Sequence, residues 1–289
     1  TFMNNIILPL ILILTRFISL LPRSWFNGKN SYLWKFLGGF LKRRKSIINA
    51  NIEHCFGDLS EFEKSQLKDN IWNETYRALY ENNFAWNASN KQIDKLKIEF
   101  IGKDILENAM KAKRGVLILF RHTLYLELSA RLLGRFFDIF GLERPNNNSL
   151  VQKIQTNGRM KSVKGIISNS DIKKCLNLLR DGHMVMYGPD QDYRNKHSIV
   201  SEFYGKKCLT TTVPIKLKKM SGCHVIYFDF FRVKEKFQMV VKELNNHVNS
   251  EEEFAKSLNK EIEASISKAP EQYLWHHRRF KSQYPEIYE

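Results

Sequence analysis

The stretch Arg121-His122-Thr-Leu-Tyr-Leu-Glu127 holds two side-chain types that together move a proton. The imidazole of His122 takes a proton from an attacking hydroxyl, and the carboxylate of Glu127 orients the ring and stabilises the imidazolium. Spacing decides whether the two can meet. Five residues apart within one helix they would sit about 140° apart, because each residue turns about 100°. They converge only if His122 occupies a turn before a helix and Glu127 lies in its first turns. No serine in a G-x-S-x-G setting accompanies them, which favours direct transfer to a hydroxyl over a covalent enzyme intermediate. A lone His near a strand end is also a common structural residue, and the pair by itself leaves both readings open.

The flanking elements supply the required context. Gly115-Val-Leu-Ile-Leu-Phe120 is a short apolar run suited to a buried strand, and a helix is expected over 124–137. Residues at the carboxyl end of a strand in an open sheet lie where such folds bind ligands. Upstream, Ser60 followed by Glu63 forms a capping box that opens a helix reaching Trp86. Strand character recurs at 97–101 and 184–187, and helical character at 104–112 and from Ser170-Asp171 to Gly182. Thr210-Thr-Thr212 with Pro214 starts a further helix that closes near Gly222. The segments 224–233 and 237–244 flank a Lys-Glu-Lys turn as a hairpin, and Ser250 with Glu253 opens a last helix toward Ala269. Strands alternating with helices specify an α/β fold, a central mixed sheet flanked by helices.

Composition narrows the partners. The 289 residues include 46 Lys and Arg against 30 Asp and Glu, a net charge of +16. Such an excess favours anionic partners: nucleic acid, an anionic membrane face, phosphorylated lipid or an acidic carrier protein. No basic-aromatic nucleic-acid motif is present, so nucleic acid is not expected. Ile6 to Leu21 is apolar apart from Thr15, Arg16 and Ser19, and would cover roughly 24 Å as a helix. It has no small-x-small cleavage site before Trp25, which speaks against a signal peptide. Trp25, Tyr32, Trp34 and Phe36, with Lys42-Arg43-Arg44-Lys45, follow as aromatic and cationic interfacial anchors. The expected layout is an N-terminal membrane-anchoring helix over 1–24, a helical membrane-proximal segment over 25–95 and an α/β catalytic domain over 96–289. Cys55, Cys175, Cys208 and Cys223 are scattered, so neither a metal site nor disulfides are expected.

Several strings in this order and spacing carry a resemblance. They are Lys42-Arg-Arg44, Asn51-Ile-Glu-His-Cys-Phe56, Arg121-His122 to Glu127, Arg144-Pro145-Asn-Asn-Asn148 and Gln155-Thr-Asn-Gly-Arg159. Tyr187-Gly-Pro-Asp190-Gln-Asp192-Tyr193, Thr210-Thr-Thr212 and the tail from Ala269 to Lys281 complete them. Through nearly its whole length the chain resembles the bacterial lipid A secondary acyltransferases, a branch of the lysophospholipid acyltransferase superfamily. Departures fall in loops. Ser149 replaces a second Pro, Gly57 stands where Pro is common, Ser201-Glu202 precede Phe203 where Val-Pro is expected, and Arg194 stands where Gly is usual.

The resemblance implies transfer of a fatty acyl chain from acyl carrier protein, without a cofactor, onto a hydroxyl of a lipid A precursor. It places the chain at the bacterial inner membrane with its catalytic domain on the cytoplasmic face. His122 and Glu127 match the family's catalytic pair. Arg144, Asn148, Arg159, Asp190 and Asp192 match substrate-binding positions. For Arg144, oxyanion stabilisation, a phosphate clamp and turn hydrogen bonding all remain open. Asp190 and Asp192 also fit a turn whose carboxylates cap backbone N–H groups. Two alternatives are a glycerophospholipid acyltransferase and an inactive paralogue that binds membrane lipid. The tail Trp275 to Lys281 reads either as a headgroup-level patch or as a packed terminal segment.

Overall fold

The apolar run Val116–Phe120 is buried along its whole length because it forms the middle strand of a seven-stranded sheet. The structure, a computed structural model, describes residues 2–26, 42–194, 196–244 and 250–289. Its strands are β1 (Ile98–Ile101), β2 (Val116–Phe120), β3 (Ile139–Glu143), β4 (Gly165–Ser168), β5 (Met184–Tyr187), β6 (Ser198–Phe203), β7 (Lys206–Thr211), β8 (His224–Val233) and β9 (Lys236–Glu243). The order in the large sheet is β1-β9-β8-β2-β5-β3-β4. Five strands, β8, β2, β5, β3 and β4, run parallel, while β9 is antiparallel to β8 and β1 is parallel to β9. The sheet is mixed, as expected. The hairpin β6–β7 stands apart as a two-stranded sheet.

The helices are α1 (Phe2–Ile18), α2 (Lys42–Cys55), α3 (Glu61–Asn87), α4 (Lys103–Lys111), α5 (Leu126–Leu133), α6 (Ser149–Arg159), α7 (Ile172–Arg180), α8 (Val213–Ser221) and α9 (Glu251–Lys268), with a single turn at Asn90–Ile93. Alternation along β2 sends Val116, Ile118 and Phe120 into a core closed by α3, α4 and α5. Leu117 and Leu119 enter a second core closed by α2, α7, α8 and α9. Burial on both faces is what makes the run continuously apolar rather than alternating.

Capping side chains open the longer helices. Ser60 and Glu63 form the reciprocal box at α3, and Ser250 accepts the Glu253 N–H at α9. The helix expected over 124–137 is shorter at both ends. Its first residues are diverted because Thr123 bridges Tyr273 and the Leu124 N–H donates to the Gln272 carbonyl at 2.9 Å.

The N-terminal segment folds as α1 and packs on α3, where Asn83 Nδ2 donates to the Thr15 carbonyl at 2.8 Å. Its 17 residues span about 26 Å at 1.5 Å per residue, against a hydrocarbon core of about 30 Å. Among the described residues, no helix is long and apolar enough to cross a membrane. The expected anchoring helix therefore forms as a helix but gains no support as a span. Leu10, Ile13, Leu14 and Phe17 are exposed along it, as are Leu20 and Trp25 beyond. Tyr32, Trp34 and Phe36 lie outside the described residues. All four cysteines are free thiols, three of them buried and Cys55 half-buried.

Candidate active site

Four parallel strands, β2, β5, β3 and β4, point their carboxyl ends into one cleft of about 1220 Å³. His122 lies two residues beyond β2, and Gly188-Pro189-Asp190 follows β5 directly. Because β2 and β5 are adjacent, the two loops meet. His122 Nδ1 stands 2.5 Å from Asp190 Oδ1, and the His122 main-chain N–H donates to Asp190 Oδ2 at 2.8 Å. One carboxylate thus fixes both the ring and the backbone of the histidine. Gly188 makes this approach possible, since a Cβ there would lie 2.5 Å from His122 Cε1.

Asp190 is 1% exposed. Burial alone would raise its carboxyl, but the charge of His122, the two hydrogen bonds from that residue and the Arg279 guanidinium hold it down at about 2. With Asp190 ionised, the Nδ1 proton is drawn to the carboxylate and the lone pair is left on Nε2, on a residue that lines the cleft.

Glu127 lies in the first turn of α5, where the spacing argument required it, and lines the same cleft. Its partner differs from the expectation. Glu127 accepts from Arg159 Nε and Nη2, the latter at 2.6 Å, and from Trp86 Nε1 at 2.9 Å. Arg159 Nη1 donates to Glu143 at 2.6 Å, so one guanidinium is clamped between two carboxylates. The Arg159 charge is held firmly: burial would lower its pKa, but the Glu127 and Glu143 carboxylates outweigh that and raise it. Trp86 reaches Glu127 because α6 carries Gly158 against the indole, where a Cβ would approach Trp86 Cγ to 2.3 Å. The ring contact expected of Glu127 is made in the structure by Asp190. The reason is topological, since adjacent parallel strands bring Asp190 to the ring.

The remaining predicted residues separate. Arg144 is exposed and lines the cleft just past β3. Asn148 caps α6, its side chain accepting from the Leu150 and Val151 N–H groups, while Asn146 lines the cleft. Asp192 accepts from Ser282 Oγ at 2.8 Å and from Arg194 Nε at 3.3 Å, and its N–H donates to His277 Nε2 at 3.1 Å. No group of three or more His, Cys, Asp or Glu suited to a metal ion occurs among the described residues.

The tail is a packed strap. The Leu274 N–H donates to the His122 carbonyl at 2.9 Å, and buried Arg279 donates to the Gln191 carbonyl at 3.1 Å. Asn51 of α2 donates to the carbonyls of Trp275 and His277 at 2.7 and 2.8 Å. Segment 272–279 thus braces both the His122 loop and the Asp190 loop, while Arg278 and Lys281 still line the cleft. Trp86, Glu143, Gly188, Asn51 and His277 escaped notice as site residues. Of these, only Asn51 and Gly188, within their quoted strings, and the paired His276-His277 carried a visible signal.

Residues 3–282 match the family model for bacterial lipid A biosynthesis acyltransferases. The chain is 34% identical over 248 residues to a lipid A biosynthesis lauroyltransferase of Escherichia coli K12, covering 84% of this chain and 81% of that one. It is 33% identical over 247 residues to a lipid A biosynthesis palmitoleoyltransferase of the same organism, with coverage of 84% and 80%. A lipid A biosynthesis acyltransferase of Haemophilus influenzae is 31% identical over 248 residues, with coverage of 83% and 78%. With a match that runs through almost the whole chain and a site assembled from the matching segments, the protein belongs to the bacterial lipid A biosynthesis acyltransferase family.

Proposed function

We propose that this acyltransferase moves a fatty acyl chain from an acyl carrier protein thioester onto a hydroxyl of a lipid A precursor, with His122 as the base. The observation that carries the reading is the pairing of His122 Nδ1 with buried Asp190, which leaves Nε2 as the proton acceptor on a cleft-lining residue. The acceptor hydroxyl attacks the thioester carbon while Nε2 takes its proton. A C–O bond forms, the tetrahedral intermediate collapses, the C–S bond breaks, and the imidazolium returns the proton to the departing thiolate. Asp190 stabilises the imidazolium between these steps.

Glu127 and Glu143 serve this scheme by fixing Arg159 in the cleft wall. A guanidinium carries five N–H groups. Those not spent on the two carboxylates are available to an oxygen that gains charge during attack. The net +16 suits a phosphorylated acceptor and an acidic carrier. The exposed apolar side chains of α1, with Trp25, suit contact with the cytoplasmic face of the inner membrane.

The test is acyl transfer from acyl carrier protein to a lipid A precursor by purified wild type and His122→Ala. The variant is expected to lose roughly 10²–10⁴-fold in turnover while keeping the wild-type melting curve. Equal turnover removes His122 from the reaction.

A further inference from the structure

The cleft has an apolar branch whose shape follows from one glycine. Ile139, Gly141 and Glu143 alternate with Phe140 and Leu142 along β3, so these three project to the same face. Ile139 is fully buried in the core beneath α5, and Glu143 belongs to the Arg159 ion cluster. Between them Gly141 presents no side chain. Across the sheet it is paired with Met186 of β5 on one side and Ile166 of β4 on the other. With strands about 4.8 Å apart, Met186 and Ile166 stand about 10 Å from each other and leave a trough one hydrocarbon chain wide. A Cβ built on Gly141 would find only Val163 Cγ1, at 3.9 Å. Ala130 of α5 and Phe120 of β2 complete an apolar wall, and the Phe120 ring lies tilted beside His122 with ring centroids 5.6 Å apart.

Glycine weakens a strand interior and is expected there where a ligand or another backbone comes close. Around Gly141 no other backbone lies within contact of the absent Cβ. We propose that the donor's acyl chain lies in this trough, and that the missing side chain at Gly141 sets the length of chain accepted. This rests on the acyl-transfer reading above and adds a determinant of chain length to it. The ligand is an unbranched hydrocarbon tail whose reactive thioester end stays near His122, while its far end passes the Glu127–Arg159 cluster toward Gly141.

The experiment measures kcat/KM of wild type, Gly141→Ala and Gly141→Val with acyl carrier protein thioesters of graded chain length, products being read by mass spectrometry. Each methylene expelled from the trough should cost about fourfold in kcat/KM. The ratio of long-chain to short-chain rates is expected to fall modestly for Gly141→Ala and by about tenfold or more for Gly141→Val. Met186→Ala, which widens the same row, should shift the preference toward longer chains. The methyl of Gly141→Ala has room, so this variant carries the test even if Gly141→Val does not fold. An unchanged chain-length preference in folded variants, or an equal loss at every length, overturns the trough while leaving the transfer reading intact. A wild type that transfers no chain from any thioester overturns the transfer reading itself.

Discussion

Asp190 and Glu127 are two carboxylates of one cleft with different partners. Asp190 is fully enclosed, pairs with His122 Nδ1, accepts the His122 main-chain N–H, and has Tyr273 and Arg279 beside it. Glu127 retains slight exposure and is occupied by a guanidinium and an indole. The first arrangement leaves a neighbouring nitrogen ready to accept a proton. The second holds a fixed positive charge in place. An acid beside a histidine in sequence and an acid beside it in space are thus separate residues with separate partners.

Replacing each carboxylate's partner or charge breaks this contrast in a different way. The largest effect is expected for Asp190→Asn, which no longer fixes the Nδ1–H tautomer and should lower kcat by about 10²–10⁴-fold. KM should move far less, and steady-state kinetics over a range of acceptor concentrations separates the two. A kcat close to wild type would return the orienting role to Glu127.

Next comes Arg159→Ala, which leaves Glu127 and Glu143 facing one another with little solvent. Stability should fall by roughly 3 kcal/mol, because breaking a buried pair strands the remaining charge. Urea unfolding measures it, and adding Glu143→Gln to Arg159→Ala should recover part of the loss. No recovery would mean that the guanidinium contributes through packing alone.

The smallest effect concerns the strap that supports the Asp190 side. Burial holds both imidazoles down at about 4, helped at His276 by the neighbouring Arg44 guanidinium. In the unfolded chain they return to about 6.5, so the unfolded state binds more protons between these values. Their contribution is complete above pH 6.5 and lost as pH falls toward 4. Glu81, which burial pushes up to about 7, acts in the opposite sense. The readout is therefore the difference between wild type and His277→Gln, expected to reach on the order of 1 kcal/mol between pH 6.5 and 4.5. Parallel stability curves would show that His277 does not brace the site.

How much of this was legible depended on whether the signal was local. The Ser60–Glu63 box, the Lys-Glu-Lys turn between β8 and β9 and the apolar run of β2 each announce themselves within a few residues. β3 and β4, Ile-Phe-Gly-Leu-Glu and Gly-Ile-Ile-Ser, are too short and too glycine-interrupted to show a period. α2 begins with four cations and no capping residue, and so looked like an interfacial cluster rather than a helix start. In the site, His122 was found because a strand end precedes it. The carboxylate that contacts its ring was not visible in the sequence because Asp190 stands 68 residues away, brought in by the adjacency of β2 and β5. The tail, open to two readings, proved to be packed, since Trp275 and Phe280 are buried while only some of its cations face the cleft.

The bridge between Thr123 and Tyr273 has a consequence for the order of events at the ribosome. Residues 116–190 can emerge and pair long before 272–279 exist, yet the His122 carbonyl and the Gln191 carbonyl wait for donors from that late segment. A nascent chain therefore carries an unbraced His122 loop throughout elongation, and the cleft takes its final form only after translation has passed the strap.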